Sequence, residues 1–485
     1  SNFSEIRQSV PAGTLTQGET PAEAAVPDLR RRVIAVFVDN ATVELANRNG
    51  VLPELQRFLR EGVRPGDAVV IYTWASGLRA ELEPSSDPAE IEAAVARLAK
   101  RVVPPGNDWR PKFEAELKEL IQATADMGPD ALTQKPSISE AIALGSSYAD
   151  RNSAEMRQKG EAIKSVIASI RGTDARKVLV LLTQSLDTNP GEAVFNYIDA
   201  LRDAFTGSLN PASEARVYEL PQLSTQIADA ANSAGVTLYP INLAGKFTDM
   251  GMRDASSELN LTSRPIDSTQ TSTANLFTLA ANTGGIASAG SSNWKLVFDT
   301  IANDLNVYYS LGYRTEGARQ DRVKNVEVRL RKKGYTVRTR KAIVEQTAAT
   351  EMNDAVSANL FHSRATNDLN IRAGIGAATA AGENLVHPLT ITIPTSTLTL
   401  IPDGADLVGK FSVFAAFLRA DGAVSSVGRQ TQQFRFPAAS LAKRKEVTVK
   451  LDVTADARVG AISLGVIDEA SSATGFALVK LPPTE

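Results

Sequence analysis

The chain has 485 residues, more than one hydrophobic core usually organises, so two or three domains are expected. Its formal net charge of −3 argues against nucleic acid or an anionic membrane as the main partner. No apolar run approaches the roughly 18 residues that a membrane-spanning helix needs. There is no cysteine and only two histidines, His362 and His387, so disulfides and thiolate sites are excluded. A Ser-His-Asp triad or a His-rich zinc site is very hard to build from this composition.

Strands and helices alternate from Arg31 to about Val344. Continuous apolar strands separated by helices are typical of a parallel sheet that is covered on both faces. We therefore predict an α/β domain with a doubly wound, mostly parallel sheet over residues 31–345, after an extended lead-in over residues 1–30. The predicted elements are, in order, the strand VIAVFVD, the helix LPELQRFLREGV, the strands GDAVVIYTW and LRAELEP, the helix DPAEIEAAVARLAKRV with Asp87 as its N-cap, a long helical stretch between Trp109 and Ile170, the strand RKVLVLLTQS, the helix GEAVFNYIDALRDAF and the strand GVTLYPINLA.

The pattern changes towards the end of the chain. KNVEVRLRKKGYTVRTRKAIV alternates with period two about Lys333–Gly334 and predicts a basic β-hairpin on the sheet edge. Residues 346–366 are predicted to form a linker with a short helix at TEMNDAVSANLF. From 367 to 485 short alternating segments with Asp-Gly and Pro punctuation replace helices, which predicts an all-β sandwich of roughly seven strands, immunoglobulin- or fibronectin-III-like.

Seven sequence words between residues 31 and 344 resemble the von Willebrand factor type A domain. They are VIAVFVDNAT, LQRFLREGVRPGDAVVIYTW, KVLVLLTQSLDT, AGVTLYPINLAG, LAANTGGIASAG, IANDLNVYYSLGYRT and YTVRTRKAIV. In this order they are similar to a bacterial "VWFA-related" family of exported proteins, first grouped from acidobacteria. The resemblance implies a Rossmann-like A domain followed by a β-sandwich, a role in protein binding, and a periplasmic, cell-surface or extracellular location.

The resemblance also implies a place to look for a metal ion. Type A domains that bind Mg²⁺ hold it at the strand ends in a metal-ion-dependent adhesion site, with an Asp-x-Ser-x-Ser loop, a Thr from a second loop and an Asp from a third. This sequence keeps Asp39 but has Ala41 and Val43 in place of the two serines. The remaining candidates for a vestigial site are Thr42, Ser137 in the second loop, Gln184 in the third and Asp187 just beyond it.

One carboxylate with scattered neutral oxygens is a poor Mg²⁺ site, because Mg²⁺ requires near-octahedral oxygen coordination. We therefore expect no metal and no other cofactor. In this interpretation Asp39 accepts hydrogen bonds from backbone N–H groups of the following loop.

The expected function is non-enzymatic: an exported binding or structural protein that engages an unidentified protein partner, with self-association possible. The long polar segment 246–275 follows a strand end and is the candidate for a partner-specific surface. The full set of predicted partner-binding residues is Asn40, Thr42, Trp74, Gln184, Ser185, Lys246 and Phe247. One alternative is a Mg²⁺- or Ca²⁺-dependent adhesin with a remodelled site made of Asp39, Thr42 and Asp187. A remote alternative is a hydrolase.

Overall fold

The computed structural model describes most of the chain, and all structural statements below concern the residues that it describes. These are residues 2–7, 32–43, 45–75, 77–100, 112–113, 115–117, 119–120, 137–171, 175–202, 205–244, 269–312, 321–360, 367–382, 384–419, 424–443, 445–456 and 459–481. Within them, no helix combines the length and apolar character that crossing a membrane requires.

The first domain, up to about residue 345, is organised around one five-stranded sheet. Its order is β4-β3-β2-β5-β6; β4 runs antiparallel to β3 and the other neighbours are parallel. The predicted mostly parallel sheet is confirmed. The nine strands up to the linker are β1 Asn2–Arg7, β2 Arg32–Asp39, β3 Ala68–Trp74, β4 Leu78–Ser85, β5 Arg176–Thr183, β6 Val236–Asn242, β7 Val307–Gly312, β8 Arg322–Asn325 and β9 Ala342–Glu345.

Three helices cover each face of this sheet, which is why its central strands are apolar on both sides. One face packs against α1, α2 and α8 through side chains such as Phe58 and Phe298, and the other packs against α3, α6 and α7. The helices are α1 Leu45–Gly62, α2 Pro88–Lys100, α3 Ile138–Ser169, α4 Glu192–Ala200, α5 Pro211–Ala215, α6 Leu223–Ala234, α7 Thr269–Thr283 and α8 Trp294–Asn306.

The strand order reverses between β2 and β5. The chain leaves β2 towards β3 on one side, whereas it leaves β5 towards β6 on the other. In open α/β sheets, ligands bind at the carboxyl ends of the strands beside such a reversal. Here those ends are Asp39 and Thr183.

Helix α3 is longer than the sheet is tall, at about 48 Å for its 32 residues. Its C-terminal half packs on the sheet through Ile163 and Val166. Its N-terminal half extends beyond the strand ends and forms a separate apolar cluster with Phe113, α4 and α5. The helix begins at its N-cap Ser137, whose hydroxyl accepts a hydrogen bond from the Ser139 N–H.

The lead-in is described over residues 2–7, and the predicted hairpin needs correction. Residues 2–7 of the lead-in form a strand, β1, paired antiparallel with β7. The hairpin pairs only at its base, where β8 meets β9, and its legs between residues 326 and 341 carry no ladder. The second leg instead binds the end of α7: the Lys341 N–H donates to the Asn282 carbonyl, and the backbone at Arg340 lies 2.9 Å from where a Cβ on Gly284 would be.

The predicted linker helix is α9, Ala348–Asn359, and it begins at the N-cap Thr347. It packs on α3 and on the outer face of one β-sheet of the second domain, and its Asp354 pairs at 2.5 Å with Arg171, which lies just after the end of α3. Gly465 of that sheet has no room for a side chain, because a Cβ there would lie 2.4 Å from Val356 of α9. The helix therefore joins the two domains through contacts with both.

The second domain consists of two antiparallel sheets, which confirms the prediction that this domain is built from β-strands. One contains β10, β11, β12 and β16, and the other contains β13, β14, β15, β17 and β18. Their inner faces share one apolar core, with Ile391 from the first sheet and Phe411 from the second. The described residues of this domain form nine strands rather than about seven: β10 Arg372–Ile375, β11 Thr379–Ala381, β12 Asn384–Pro394, β13 Ile401–Asp403, β14 Asp406–Arg419, β15 Gly428–Pro437, β16 Glu446–Asp456, β17 Val459–Asp468 and β18 Thr474–Lys480.

Candidate functional site

Polar side chains gather where the parallel strands end, at the reversal of strand order. Asp39 ends β2, Thr183 ends β5 and Asn242 ends β6, and each is at most 1% exposed. Trp74 ends β3 and is 2% exposed. Buried polar groups need hydrogen-bond partners, so the contacts of these side chains decide what the site can do.

The Asp39 carboxylate accepts five hydrogen bonds. Oδ1 accepts from the backbone N–H groups of Ala41 and Thr42, at 2.9 and 3.0 Å. Oδ2 accepts from the hydroxyls of Thr42 and Thr183, at 2.5 and 2.7 Å. The fifth donor is the ammonium group of Lys159, whose Nζ lies 2.7 Å from Oδ2. The predicted hydrogen bonding from the following loop is confirmed, and Thr42 points into the site.

Lys159 comes from the middle of α3, and its side chain is 0% exposed, like that of Asp39. An ammonium group has three N–H donors, and each finds an oxygen here. Besides Asp39, Nζ donates to the Ser185 carbonyl at 2.8 Å and to the Thr42 hydroxyl at 3.1 Å. The ammonium also lies 5.3 Å from the centre of the Trp74 ring, a favourable cation–π distance. Both ions of this buried pair are therefore fully hydrogen-bonded.

The charge state of Asp39 follows from these neighbours. Burial by itself would raise the pKa of the Asp39 carboxyl. The Lys159 charge and the hydrogen bonds from Lys159, Thr42 and Thr183 outweigh that effect and hold the pKa below its ordinary value of 3.8. Asp39 is therefore ionised at neutral pH, and its charge is balanced within the protein.

The first turns of α7 cover the strand ends. Ser272 is 0% exposed and its hydroxyl lies 3.3 Å from that of Ser185. Thr273 accepts a hydrogen bond from the Asn242 amide, and the Asn275 amide donates to the Leu186 carbonyl. The predicted long loop 246–275 is thus helical from residue 269, and that part is a cover over the strand ends rather than an open surface.

With Lys159 in place, the residues at this edge do not fit a divalent metal ion. Ala41 and Val43 offer no side-chain oxygen, and both oxygens of Asp39 are engaged by protein donors. The Lys159 ammonium lies among Asp39 Oδ2, Thr42 Oγ1 and the Ser185 carbonyl, the oxygens that an ion would need. A second cation beside that ammonium would be repelled.

The structure separates the residues that the vestigial-site prediction grouped together. Ser137 is exposed at the start of α3, about 33 Å along the helix axis from Lys159, so its expected position beside Asp39 is wrong. Asp187 is 1% exposed and accepts from the Asn189 N–H at 2.8 Å, which fixes it to its own loop. Gln184 lies next to Thr183 in the same loop and is partly buried.

The predicted partner-binding residues differ in how much surface they offer. Asn40 and Trp74 are buried, and the Asn40 side chain accepts a hydrogen bond from the buried Arg48, so neither is available for direct contact. Thr42, Gln184 and Ser185 are partly exposed. Lys246 and Phe247 lie outside the described residues.

Lys159 is the residue that sequence reasoning missed. It occupies a position on the apolar stripe of α3, three residues after Met156 and four before Ile163, where a core residue is expected. A lysine on that stripe is the signal that could have revealed it, because a buried lysine is rare unless it is paired. The partner itself could not be named from that signal, since 117 residues separate Thr42 from Lys159.

Comparison with known proteins gives distant likenesses. No protein-family model and no curated protein matches the chain. An aerotolerance-related membrane protein of Bacteroides fragilis matches at 9% identity and a TM-score of 0.25, over 57% of this chain and 98% of that one. Manganese-loaded TRAP protein of Plasmodium vivax matches at 11% identity and a TM-score of 0.27, over 74% of this chain and 86% of that one.

Proximal thread matrix protein 1 from the mussel byssus, in a form with a zinc-occupied metal-ion-dependent adhesion site, matches at 11% identity and a TM-score of 0.23, over 56% of this chain and 47% of that one. Von Willebrand A proteins are among these matches. Scores of this size carry no argument by themselves. The fold described here rests on the strand order and on the helices that cover both faces of the sheet.

Proposed function

We propose that this chain is an exported, non-enzymatic protein-interaction protein of the von Willebrand A type, and that its interaction does not depend on a divalent cation. The observation that carries the proposal is the complete burial of the ion pair at the reversal of strand order. Asp39 and Lys159 are both 0% exposed and neutralise each other, and the nearby Asp187 and Arg48 are each 1% exposed. None of these groups is accessible to a substrate.

The shape of the strand-end face supports an interaction with a protein rather than with a small molecule. Three large cavities lined by described residues lie away from the strand ends: one of about 700 Å³ between the sheets of the second domain, and others of about 390 and 400 Å³ beside α1 and α3. At the strand ends, Thr42, Gln184 and Ser185 lie in a partly exposed polar surface next to the cover formed by α7. Small-molecule sites, in contrast, are concave and mostly apolar.

Site-specific photo-cross-linking tests this proposal. A photoreactive residue replaces Gln184 at the strand-end face, and a control replaces Arg331, an exposed residue in the hairpin anchored near the amino end of β6. In cells of the source organism we expect a discrete cross-linked partner from position 184 and none of the same mass from position 331. The adduct should persist in EDTA.

Loss of the adduct in EDTA, with recovery in Mg²⁺ or Ca²⁺, would instead support the adhesin alternative with Asp39, Thr42 and Asp187. An adduct only from position 331 would move the interaction away from the strand-end face. Either result would overturn the proposal as stated.

A further inference from the structure

Lys159 presents a problem that the apolar packing of α3 does not explain. The helix packs on the sheet through Met156, Ile163 and Val166, and Lys159 lies on the same stripe with no exposed surface. Burial of an ammonium group is unfavourable unless a charge and hydrogen bonds compensate it. If this position served apolar packing alone, leucine or methionine would be sufficient there and no polar partner would be needed. The lysine is therefore matched to the oxygens around it.

Those oxygens form a set that resembles the coordination shell of a hard cation. Nζ is bound by a carboxylate oxygen of Asp39, a hydroxyl oxygen of Thr42 and a carbonyl oxygen of Ser185. Carboxylate, hydroxyl and carbonyl oxygens are the ligands that Mg²⁺, Ca²⁺ and Mn²⁺ use in proteins. The three ligands come from the last residue of β2, the loop that follows it and the loop after β5, so the ammonium links the two strand ends that flank the reversal of strand order.

We propose that Lys159 is the built-in cation of this site and replaces a divalent ion there. This inference uses the von Willebrand A resemblance of the proposed function only for the position at which an ion is expected. Lys159 supplies positive charge to Asp39 and holds the two loops together, as an ion would. It differs in two ways: it cannot dissociate, and all three of its donors are used inside the protein.

The replacement has a consequence for recognition. A metal ion with an open coordination position can bind an acidic side chain of a partner directly. The Lys159 ammonium has no free donor and no exposed surface, so a partner cannot complete its coordination. Recognition at this face therefore occurs without an ion-mediated carboxylate contact.

The test is thermal unfolding of the full chain in EDTA and in 5 mM MgCl₂ or MnCl₂. For the wild type we expect no shift in Tm with either cation. Lys159→Met keeps the length of the side chain but leaves Asp39 uncompensated, and it should lower Tm by roughly 10 °C. Asp39→Asn/Lys159→Met removes both charges and should recover most of that loss, because a neutral pair replaces the ionic one.

Lys159→Ala provides the decisive measurement, because it removes the ammonium and leaves space among the oxygens. Its Tm should rise by several degrees in MnCl₂, and the rise should disappear in Asp39→Asn/Lys159→Ala. The matched control is Lys164→Met on the same helix, where the side chain is 28% exposed; it should change neither Tm nor the response to cations beyond a degree or two.

Three results would overturn the inference. One is a cation-dependent rise in the wild-type Tm that Asp39→Asn abolishes, because an ion would then bind beside the lysine. Another is a Lys159→Met variant as stable as the wild type. The third is a Lys159→Ala variant with no response to any cation, which would make the pair a structural ion pair and not a cation site. All three are measured without a partner, so they leave the cross-linking test of the proposed function unaffected.

Discussion

Strand β2 carries a buried ion pair at each of its ends, and the two pairs differ in what they connect. At its amino end, Arg32 pairs with Asp67, and the two side chains are 2% and 1% exposed. At its carboxyl end, Asp39 pairs with Lys159, and both are fully buried. The first pair links β2 to the residue just before its neighbour β3, whereas the second links β2 to a helix packed on the sheet.

The chemistry of the two cations fits these different tasks. The planar guanidinium of Arg32 donates to Asp67 through both Nε and Nη2, and the Asp67 carboxylate also accepts the backbone N–H groups of Arg32 and Arg64. That arrangement is specific for a carboxylate. The Lys159 ammonium instead binds three oxygens of three different kinds, as a compact ion does. The comparison indicates that burial alone does not turn an ion pair into a cation site. The kinds of oxygen around the cation, and their place at the carboxyl ends of the strands, distinguish the Lys159 pair.

The largest expected effect is at the amino end. Asp67→Ala leaves the buried Arg32 guanidinium without its carboxylate and should lower the free energy of unfolding by about 3–5 kcal/mol. Urea unfolding measures this change. Because the partner of Asp67 is a guanidinium tied to the Gly62 carbonyl, no divalent cation should restore stability. Glu61→Ala, which removes an exposed partner of Arg57, is the control and should cost less than 1 kcal/mol. Restoration by Mg²⁺ would contradict the distinction between the two ends.

The next effect concerns the hydroxyl that supports Asp39. Thr183→Val keeps the shape of the side chain but removes the 2.7 Å hydrogen bond to Oδ2. Hydrogen bonds to charged groups contribute about 1.5–3 kcal/mol, so the free energy of unfolding should fall by about that amount. Chemical denaturation again provides the measurement. A neutral result would mean that Lys159 and Thr42 alone are sufficient to hold the carboxylate.

The third prediction concerns how the Asp39–Lys159 pair at the carboxyl end of β2 makes the stability of the protein depend on pH. The folded-state pKa of Asp39 is below its ordinary value of 3.8. The folded protein therefore holds the charged form more strongly than the unfolded chain does. Its stabilising contribution is complete above that ordinary value and is lost as the pH falls below it through the folded-state pKa, at about 1.4 kcal/mol for each unit of lowering.

Denaturation midpoints measured between pH 6 and pH 2 should therefore fall less steeply for Asp39→Asn/Lys159→Met than for the wild type. The double variant is the suitable comparison because it removes the titrating carboxyl without leaving a buried charge. Identical slopes for the two proteins would contradict the lowered pKa.

Much of the fold could be predicted because local patterns and global packing agree. VIAVFVD and RKVLVLLTQS are apolar on both faces, and the structure buries them between two helical layers. The hairpin prediction was right only at the base, where β8 pairs with β9, because period-two alternation does not specify the pairing partner of each leg. Its second leg pairs with the backbone of Asn282 and Thr283, at the end of α7, and not with the first leg.

Of the candidate site, only the residues at the ends of the strands could be predicted from the sequence. Asp39 stands out because an acid follows an apolar run at a strand end, and Thr183 ends the next apolar strand in the same way. Lys159 and the α7 cover come from elements whose position relative to the sheet is set by tertiary packing. Ser137 was misplaced for the same reason, since its position depends on how far α3 extends beyond the strands.

The smallest expected effect tests whether Lys159 is held by the backbone carbonyl of Ser185 or by the Ser185 side chain, in the loop after β5. It binds the carbonyl of Ser185, whereas the Ser185 hydroxyl makes only a 3.3 Å contact with Ser272. Ser185→Ala keeps the carbonyl, so the free energy of unfolding should change by no more than about 0.5 kcal/mol, and the Tm should remain insensitive to cations. A loss from Ser185→Ala as large as that from Thr183→Val would show that the hydroxyl, and not the loop backbone, holds the ammonium in place.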